Sequence, residues 1–342
     1  MSTKRDFSQS VGHLGEDSLR VLVSSHLDKD TREMLGYGDD AIAIEIGDGK
    51  ILVAHTNVLV GSTDILPGMT PSSIGRKAVV MNVSDIAAKG AKPLTLLFSL
   101  GIPKDYLISH LEEIASGMNA AARENGTYIT GGDIGESNNL ILAGTALGMA
   151  RKGELMARSG AKVGDLLAST GPFGLTSLGF KILLENLEAP SDIEKKALEA
   201  VYKPKARLKE ALALAEIKAV TASIDSSDGL AKSLHWLSRM SGIGFELSNI
   251  PLSPEVMHFA QLHKLDPNRL ALYEGGEEYE LIVCIKPEKW NDAVEAVKRV
   301  GGVLYEIGRV TESRKIVLRT RDGRQEEIED LGWEHFRQWK AE

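Results

Sequence analysis

Acidic side chains at turns, strand ends and helix starts are where this sequence could do chemistry: Asp39 and Asp40 in Gly36-Tyr-Gly-Asp-Asp-Ala41, then Asp64, Asp85, Asp133, Asp225, Asp228 and Glu277. Backbone geometry at such places can aim carboxylates inward. Taken singly, each has an ordinary reading, since Asp beside Gly is turn chemistry, and Gly47-Asp48-Gly49 is read as no more than that. Asp85 resists it. Ile74, Ala78, Val79, Val80, Met81, Val83, Ile86 and Ala87 make its helix apolar nearly all round, and such a helix is buried. Asn82, Ser84 and Asp85 are then buried polar groups, and a buried carboxylate needs donors or a cation. Asp133 follows Thr130-Gly131-Gly132, where two glycines permit close approach of backbone to a ligand. Asp225 and Asp228, spaced i and i+3 around a helix start, can face one point. Converging carboxylates repel unless hard cations lie between them, and an oxygen-only set with few His suits magnesium bound to a nucleotide's phosphates.

Common alternatives lack their signatures, because the chain has no Walker A sequence, no Gly-x-Gly-x-x-Gly and no His-Glu-x-x-His. Ser226 and Ser227 have no His arranged beside them as a base and read as helix caps. Cys284, in the apolar run Leu281-Ile-Val-Cys-Ile285, reads as a core thiol. His110 and His235 fall in helical stretches, where surface or packing roles are the default.

The elements that must position these acids follow from periodicity and punctuation. Ala41 to Ile46 and Ile51 to Thr56 form a hairpin about Gly47-Asp48-Gly49-Lys50. Thr70 caps a helix with Pro71 at its first position, and Gly90 ends it. Leu94 to Leu100, Thr127 to Thr130 and Leu140 to Met149 read as strands, with a helix over Asp105 to Asn125. A second unit begins near Arg158, with strand Leu166 to Thr170, three helical stretches, and a capping box at Ser191-Asp-Ile-Glu194. A helix starts at Ile224-Asp-Ser-Ser-Asp-Gly-Leu230. Tyr279 to Ile285 is a strand, a helix opens at Pro287 and stops at Gly301-Gly302, and strands Val303 to Val310 and Lys315 to Thr320 close the unit. The fold class is α/β of α+β type, in two domains spanning 1–157 and 158–342, which suits 342 residues at roughly 150 per domain.

Composition narrows the partners. With 40 Lys+Arg against 48 Asp+Glu, the net charge of −8 argues against a basic surface for nucleic acid. One cysteine allows no intrachain disulfide and fits a reducing cytoplasm. The amino terminus MSTKRDFSQS lacks the apolar core of a signal peptide, and no apolar run approaches the ~20 residues of a membrane span. The tail Leu331-Gly-Trp-Glu-His-Phe336 carries aromatics where a dispensable tail is polar.

Taken in order, Gly38-Asp-Asp-Ala41, His55-Thr-Asn-Val-Leu-Val60, Asn82-Val-Ser-Asp-Ile-Ala-Ala88, Gly131-Gly-Asp133, Arg158-Ser-Gly-Ala161, Ile224-Asp-Ser-Ser-Asp-Gly-Leu230, Gly275-Gly-Glu-Glu-Tyr-Glu-Leu281 and Gly332-Trp-Glu-His-Phe336 resemble the motif series of the thiamine-monophosphate kinases. The resemblance runs from about residue 11 to 336. The wider superfamily, with aminoimidazole ribonucleotide synthetase, selenophosphate synthetase and a hydrogenase maturation factor, shares the fold and ATP use. The resemblance implies direct transfer of the γ-phosphoryl group of ATP to thiamine monophosphate, giving thiamine diphosphate, with several magnesium ions and no covalent nucleophile. It implies magnesium ligation by Asp40, Thr56, Asp85, Asp133, Asp225 and Asp228, and ATP contacts from Gly132, Asp133, Arg158 and Ser227. Glu277 and Trp333 would hold thiamine, the indole offering a flat face to a cationic heterocycle. Two positions depart from the family. Asn57 stands at a metal position usually held by Asp, removing one negative charge, and Asp64 stands where bacterial members often place a substrate-contacting His. A homodimer through the amino-terminal sheet is also implied, and pairing would protect its strand edges. Two competing readings are a related phosphotransferase acting on another small molecule and a non-catalytic nucleotide-binding variant.

Overall fold

The computed structural model describes residues 10–320 and 322–336, so most of the polar amino-terminal segment read above lies outside it. In chain order the first half runs α1 (Glu16–Ser24), β1 (Ile42–Gly47), β2 (Lys50–Val60), α2 (Gly61–Asp64), α3 (Pro71–Ala88), β3 (Lys92–Ile102), α4 (Ile108–Glu124), β4 (Ile129–Glu136) and β5 (Ile141–Arg151). The second half runs β6 (Leu166–Ser169), α5 (Leu175–Glu185), α6 (Ser191–Tyr202), α7 (Leu208–Glu216), β7 (Val220–Asp225), α8 (Leu230–Ser241), β8 (Gly244–Leu247), α9 (Pro254–His263), α10 (Pro267–Tyr273), β9 (Leu281–Ile285), α11 (Trp290–Arg299), β10 (Tyr305–Thr311), β11 (Ile316–Arg319) and β12 (Gln325–Glu327). Among the described residues these strands form a five-stranded sheet in the order β1-β2-β5-β3-β4 and a seven-stranded sheet in the order β12-β11-β8-β10-β6-β9-β7. No helix among them is long and apolar enough to cross a membrane.

Helix α3 explains how the two sheets meet. The Thr70 hydroxyl accepts the Ser73 N–H at 3.2 Å and Pro71 opens the first turn. One side of the helix packs on β2, β3 and β5, the other on α7 and β7. Its all-round apolar character therefore reflects burial, as expected from sequence, and the structure places that burial between two sheets. Helix α4 crosses α3 at two glycines. A Cβ on Gly75 would lie 2.1 Å from the Ile114 carbonyl oxygen, and one on Gly117 would lie 2.0 Å from that of Ser72. Backbone cannot yield as a flexible side chain does, so Gly117→Ala is expected to lower stability by ~1–3 kcal/mol, measured by urea unfolding; an unchanged midpoint would show that the helices can move apart.

The opposite face of the first sheet is open, with Ile42, Ile46, Val58 and Leu97 exposed. The β1–β2 hairpin closes as expected, through positive φ at Gly47, Asp48 and Gly49. Several expectations need correction. Strand β4 does not end at Thr130 but continues to Glu136, because parallel pairing with β3, from Leu97 opposite Gly131 to Ile102 opposite Glu136, overrides the poor strand propensity of Gly-Gly-Asp. The capping box at Ser191 is absent: Pro190 occupies the cap position, so Ser191 is already helical. Neither Ser226 nor Ser227 caps α8, whose cap residue is Gly229 with φ 99°. Helices α1, α2, α9 and α10 and strands β7, β8 and β12 were not anticipated, although Ser253-Pro254 and Asp266-Pro267 carry real start signals, their side chains accepting from Val256 N and Asn268 N. Ile224 and Asp225, read as a helix start, end β7 instead.

Candidate active site

A cleft of about 1340 Å³ opens along the junction of the two sheets, bordered by Asp39, Asp40, His55, Thr56, Asn57, Asp64, Lys77, Asp85, Arg158, Ser227, Asp228, Glu277 and Trp333. At its floor Asp40 and Asp85, with Asp225 buried beneath them, present carboxylate oxygens within 4.8 Å of one another. Three distant segments deliver them: the loop before β1, the interior of α3 and the end of β7. Ser84, one residue before Asp85, donates its hydroxyl to Asp225 Oδ2 at 2.5 Å and so ties α3 to β7.

Electrostatics divides this triad. Burial alone would raise Asp40, but the Arg158 guanidinium and the Lys89 ammonium hold its carboxyl below the usual range. Arg158 donates through Nε to Asp40 Oδ1 at 2.8 Å, through Nη1 to the Gly38 carbonyl at 2.7 Å, and through its backbone N–H to Asp39 Oδ2 at 2.8 Å. Asp85 is pushed well up by burial and by the neighbouring Asp225 and Asp40. Burial, helped by Asp40, pushes Asp225 up to about 7. His55 is driven down to about 4 by burial, so its ring is neutral. Nδ1 lies against the Asp40 carbonyl and Nε2 stands 3.0 Å from Asp85 Oδ2. With Nδ1–H donating to the carbonyl, Nε2 is free to accept the Asp85 proton. Without a cation the floor is thus a partly protonated acid cluster, and a divalent ion would displace those protons.

Around the triad two further clusters line the cleft. At one, Asp228 is raised to about 6 by burial and by Glu16. Its carbonyl accepts the Trp333 N–H at 3.0 Å, which folds the aromatic tail back over the opening. At the other, Lys77, almost wholly enclosed on α3, bridges the Asp64 carbonyl at 2.7 Å and Glu277 Oε1 at 2.5 Å. Glu277 holds a left-handed backbone, φ 60°, with its N–H donating to the Ser227 carbonyl at 2.6 Å. Asp64 Oδ2 accepts the Val60 N–H at 2.6 Å.

The structure therefore unites part of the ligand set expected from sequence and splits the rest. Asp225 joins Asp40 and Asp85, whereas Asp228, expected to face the same point, lies outside the triad. On β2 the strand period of two sends neighbours to opposite faces. His55 and Asn57 lie on the face covered by α3, with the Asn57 Oδ1 accepting the Val58 N–H at 2.9 Å. Thr56 lies on the open face, where its hydroxyl donates to the Gly144 carbonyl at 2.9 Å. Asp133 pairs with Ser99 in the β3–β4 register and is exposed there too, and neither it nor Gly132 borders the cleft. Cys284 is a core thiol as expected, His110 is exposed, and His235 packs with Nε2 on the Ile328 carbonyl at 2.9 Å. His55, Lys77 and Lys89 were not singled out from sequence. The signal for the lysines was available, because both interrupt the apolar run of one buried helix and its end.

Comparisons with known proteins agree with this geometry. Residues 38–150 match the family described as AIR synthase related protein, N-terminal domain, and residues 162–321 match its C-terminal domain. A thiamine-monophosphate kinase of Pyrococcus horikoshii is 36% identical over 305 residues, 88% of this chain and 91% of that protein. One from Nitrosopumilus maritimus is 35% identical over 286 residues, 84% and 89% respectively. The chain belongs to the thiamine-monophosphate kinase family. Among solved structures, AaThiL complexed with AMPPCP and TMP superposes with TM-score 0.84 at 29% identity, covering 96% of this chain and all of that one. A HypE–HypF complex, at 22% identity and TM-score 0.74 over 92% of this chain and 99% of that one, shares the fold. Both the tail and the Gly275-to-Leu281 loop pack on the Ser227–Asp228 segment beside the acid floor, the Trp333 N–H donating to the Asp228 carbonyl and the Glu277 N–H to the Ser227 carbonyl.

Proposed function

We infer that this chain passes the γ-phosphoryl group of ATP directly to the phosphate of thiamine monophosphate, giving thiamine diphosphate. The observation that carries this reading is the triad Asp40, Asp85 and Asp225 at the floor of a cleft bordered by Glu277 and Trp333, in a member of the thiamine-monophosphate kinase family. Joining two anionic phosphates calls for charge neutralisation and in-line placement more than for a protein nucleophile. Neither Cys284 nor Ser226, both buried, borders the cleft.

Magnesium fits this donor set, which is three buried carboxylates with oxygens within 4.8 Å of one another. Asp40, Asp85 and Asp225 would hold one ion, and Thr56, Asn57, Asp133 and Asp228, which lie outside the triad, would hold further ions. When bound it neutralises charge on the transferring phosphate. The protein's own groups do the placing: Arg158 and Ser227, with Gly132 and Asp133, take ATP, and Asp64, Glu277 and Trp333 take thiamine. Trp333, 44% exposed at the rim, is placed to cover a cationic ring. Trp333→Ala is expected to raise KM for thiamine monophosphate roughly tenfold with KM for ATP little changed; equal KM values for thiamine monophosphate would remove the indole from the site.

We divide the chain into units 1–157 and 158–342, place it in the cytoplasm, and propose a homodimer built on the open face of the first sheet. Exposed Ile42, Val58 and Leu97 there support that interface, and Gly132 and Asp133 would act at it rather than inside one chain's cleft. Light scattering at micromolar concentration tests it, and a monomer counts against it. The catalytic reading is tested by incubating purified protein with ATP, magnesium and thiamine monophosphate. No thiamine diphosphate, from this chain and from Asn57→Asp alike, would overturn it. Asp64 favours one alternative, a related phosphotransferase on another phosphorylated metabolite; stabilisation by such a metabolite and not by thiamine phosphates in a thermal-shift panel would select it. Asn57 favours a non-catalytic nucleotide binder, which measurable turnover removes.

A further inference from the structure

Lys89 follows the last residue of α3 and is wholly enclosed. A lysine so placed must be neutralised, and this one points its ammonium at Asp39 Oδ1, at Asp40 Oδ2, 2.6 Å away, and at the Ser223 carbonyl, 3.3 Å away. Both Asp39 and Asp40 side chains are themselves fully out of solvent. Asp39 is closed on its other side by the backbone N–H of Arg158. Asp40 is different. Its Oδ1 is taken by Arg158 and its Oδ2 touches Lys89, while the same carboxylate belongs to the triad with Asp85 and Asp225. One carboxylate thus faces a fixed ammonium on one side and the acid cluster on the other.

We propose that Lys89 is a tethered cation that takes the place of one divalent ion in this cluster, neutralising the Asp39–Asp40 pair from within the chain and lowering the number or affinity of metal ions the site takes up. Asn57 acts in the same direction, because an amide at a metal position removes a negative charge that a further ion would require. Lys89 is a positioning and charge-balancing group here, not among the residues that border the cleft. The inference rests on the reading of the triad as a metal site.

The test is Mn²⁺ binding to the full chain with AMPPCP present, followed by electron paramagnetic resonance, together with thermal unfolding with and without Mn²⁺. Lys89→Met keeps the length of the stem and removes the charge. It is expected to bind one further Mn²⁺ per chain, or the same number at least tenfold more tightly, and to gain more melting temperature from Mn²⁺ than the unaltered chain. Folding only when Mn²⁺ is present would equally support the proposal. A folded Lys89→Met with unchanged stoichiometry and affinity would overturn it. Should Lys89→Met fail to fold in either condition, Asp39→Asn is compared with the charge-balanced double variant Asp39→Asn/Lys89→Met: tenfold tighter binding in the double variant supports the tethered cation, and equal binding overturns it. Absence of Mn²⁺ binding by the unaltered chain would instead overturn the metal reading of the triad.

Discussion

Asp225→Asn is expected to abolish phosphoryl transfer, by at least ~10³-fold, and at the same time to stabilise the metal-free protein at pH 8. Loss of activity follows from removing one of three convergent carboxylates. The gain in stability follows from burial, which together with Asp40 lifts the Asp225 carboxyl from an ordinary 3.8 to about 7 in the folded chain. Because the folded state holds this proton more tightly than the unfolded one, stability contributed by the group is present at low pH. It is lost as pH rises from about 4 through about 7. At pH 8 the ionised carboxylate therefore costs the metal-free protein on the order of a few kcal/mol. Asparagine has no proton to lose and can still accept the Ser84 hydroxyl. Thermal unfolding in a chelator should show the two proteins alike below about pH 4, the variant pulling ahead from there to about pH 7 and higher at pH 8, with magnesium narrowing the gap. A variant less stable than the parent at pH 8 without metal would contradict the electrostatic account of the floor.

Asn57→Asp carries the second large effect, in the opposite direction for activity. Each carboxylate near a divalent ion contributes several kcal/mol of attraction at an effective dielectric of about 20, before desolvation is subtracted, whereas an amide contributes only a dipole. Asn57 is not a turn residue. It lies within β2, two residues from His55 and on the same face, and among the described residues its side-chain oxygen accepts only the neighbouring Val58 N–H. With aspartate there, half-maximal turnover should need less magnesium and turnover should rise by ~10²-fold, while binding of magnesium-free nucleotide changes little. Magnesium titrations of phosphoryl transfer for both proteins decide the matter: superimposable curves would remove position 57 from the metal site.

The same two positions show where sequence reasoning reached and where it stopped. Burial of Asp85 was legible because an all-round apolar helix admits no other environment, and the hairpin carrying Asp40 and Asn57 was legible because Gly47-Asp48-Gly49 specifies its turn. Chemical class was legible too, since clustered carboxylates with little His point to hard cations wherever they are placed.

Partnership was a different matter, because it depends on which elements pack together. That Asp225 and not Asp228 meets Asp40 and Asp85 is set by Ser84 holding β7 to α3. Thr56 and Asn57, adjacent in one motif, separate onto two faces of a sheet through strand periodicity once β2 is paired over its full length with β5. Asp133 was expected in a loop at the site and lies instead on an exposed edge strand, because pairing with β3 supplied backbone hydrogen bonds that local propensity could not foresee. Lys89 follows the same rule. By itself the sequence determined the kind of groups present and the elements bearing them. Only tertiary packing decided which charges face each other, because burial strength and distance, the two quantities that set a carboxylate's state, are properties of contacts between segments far apart in the chain.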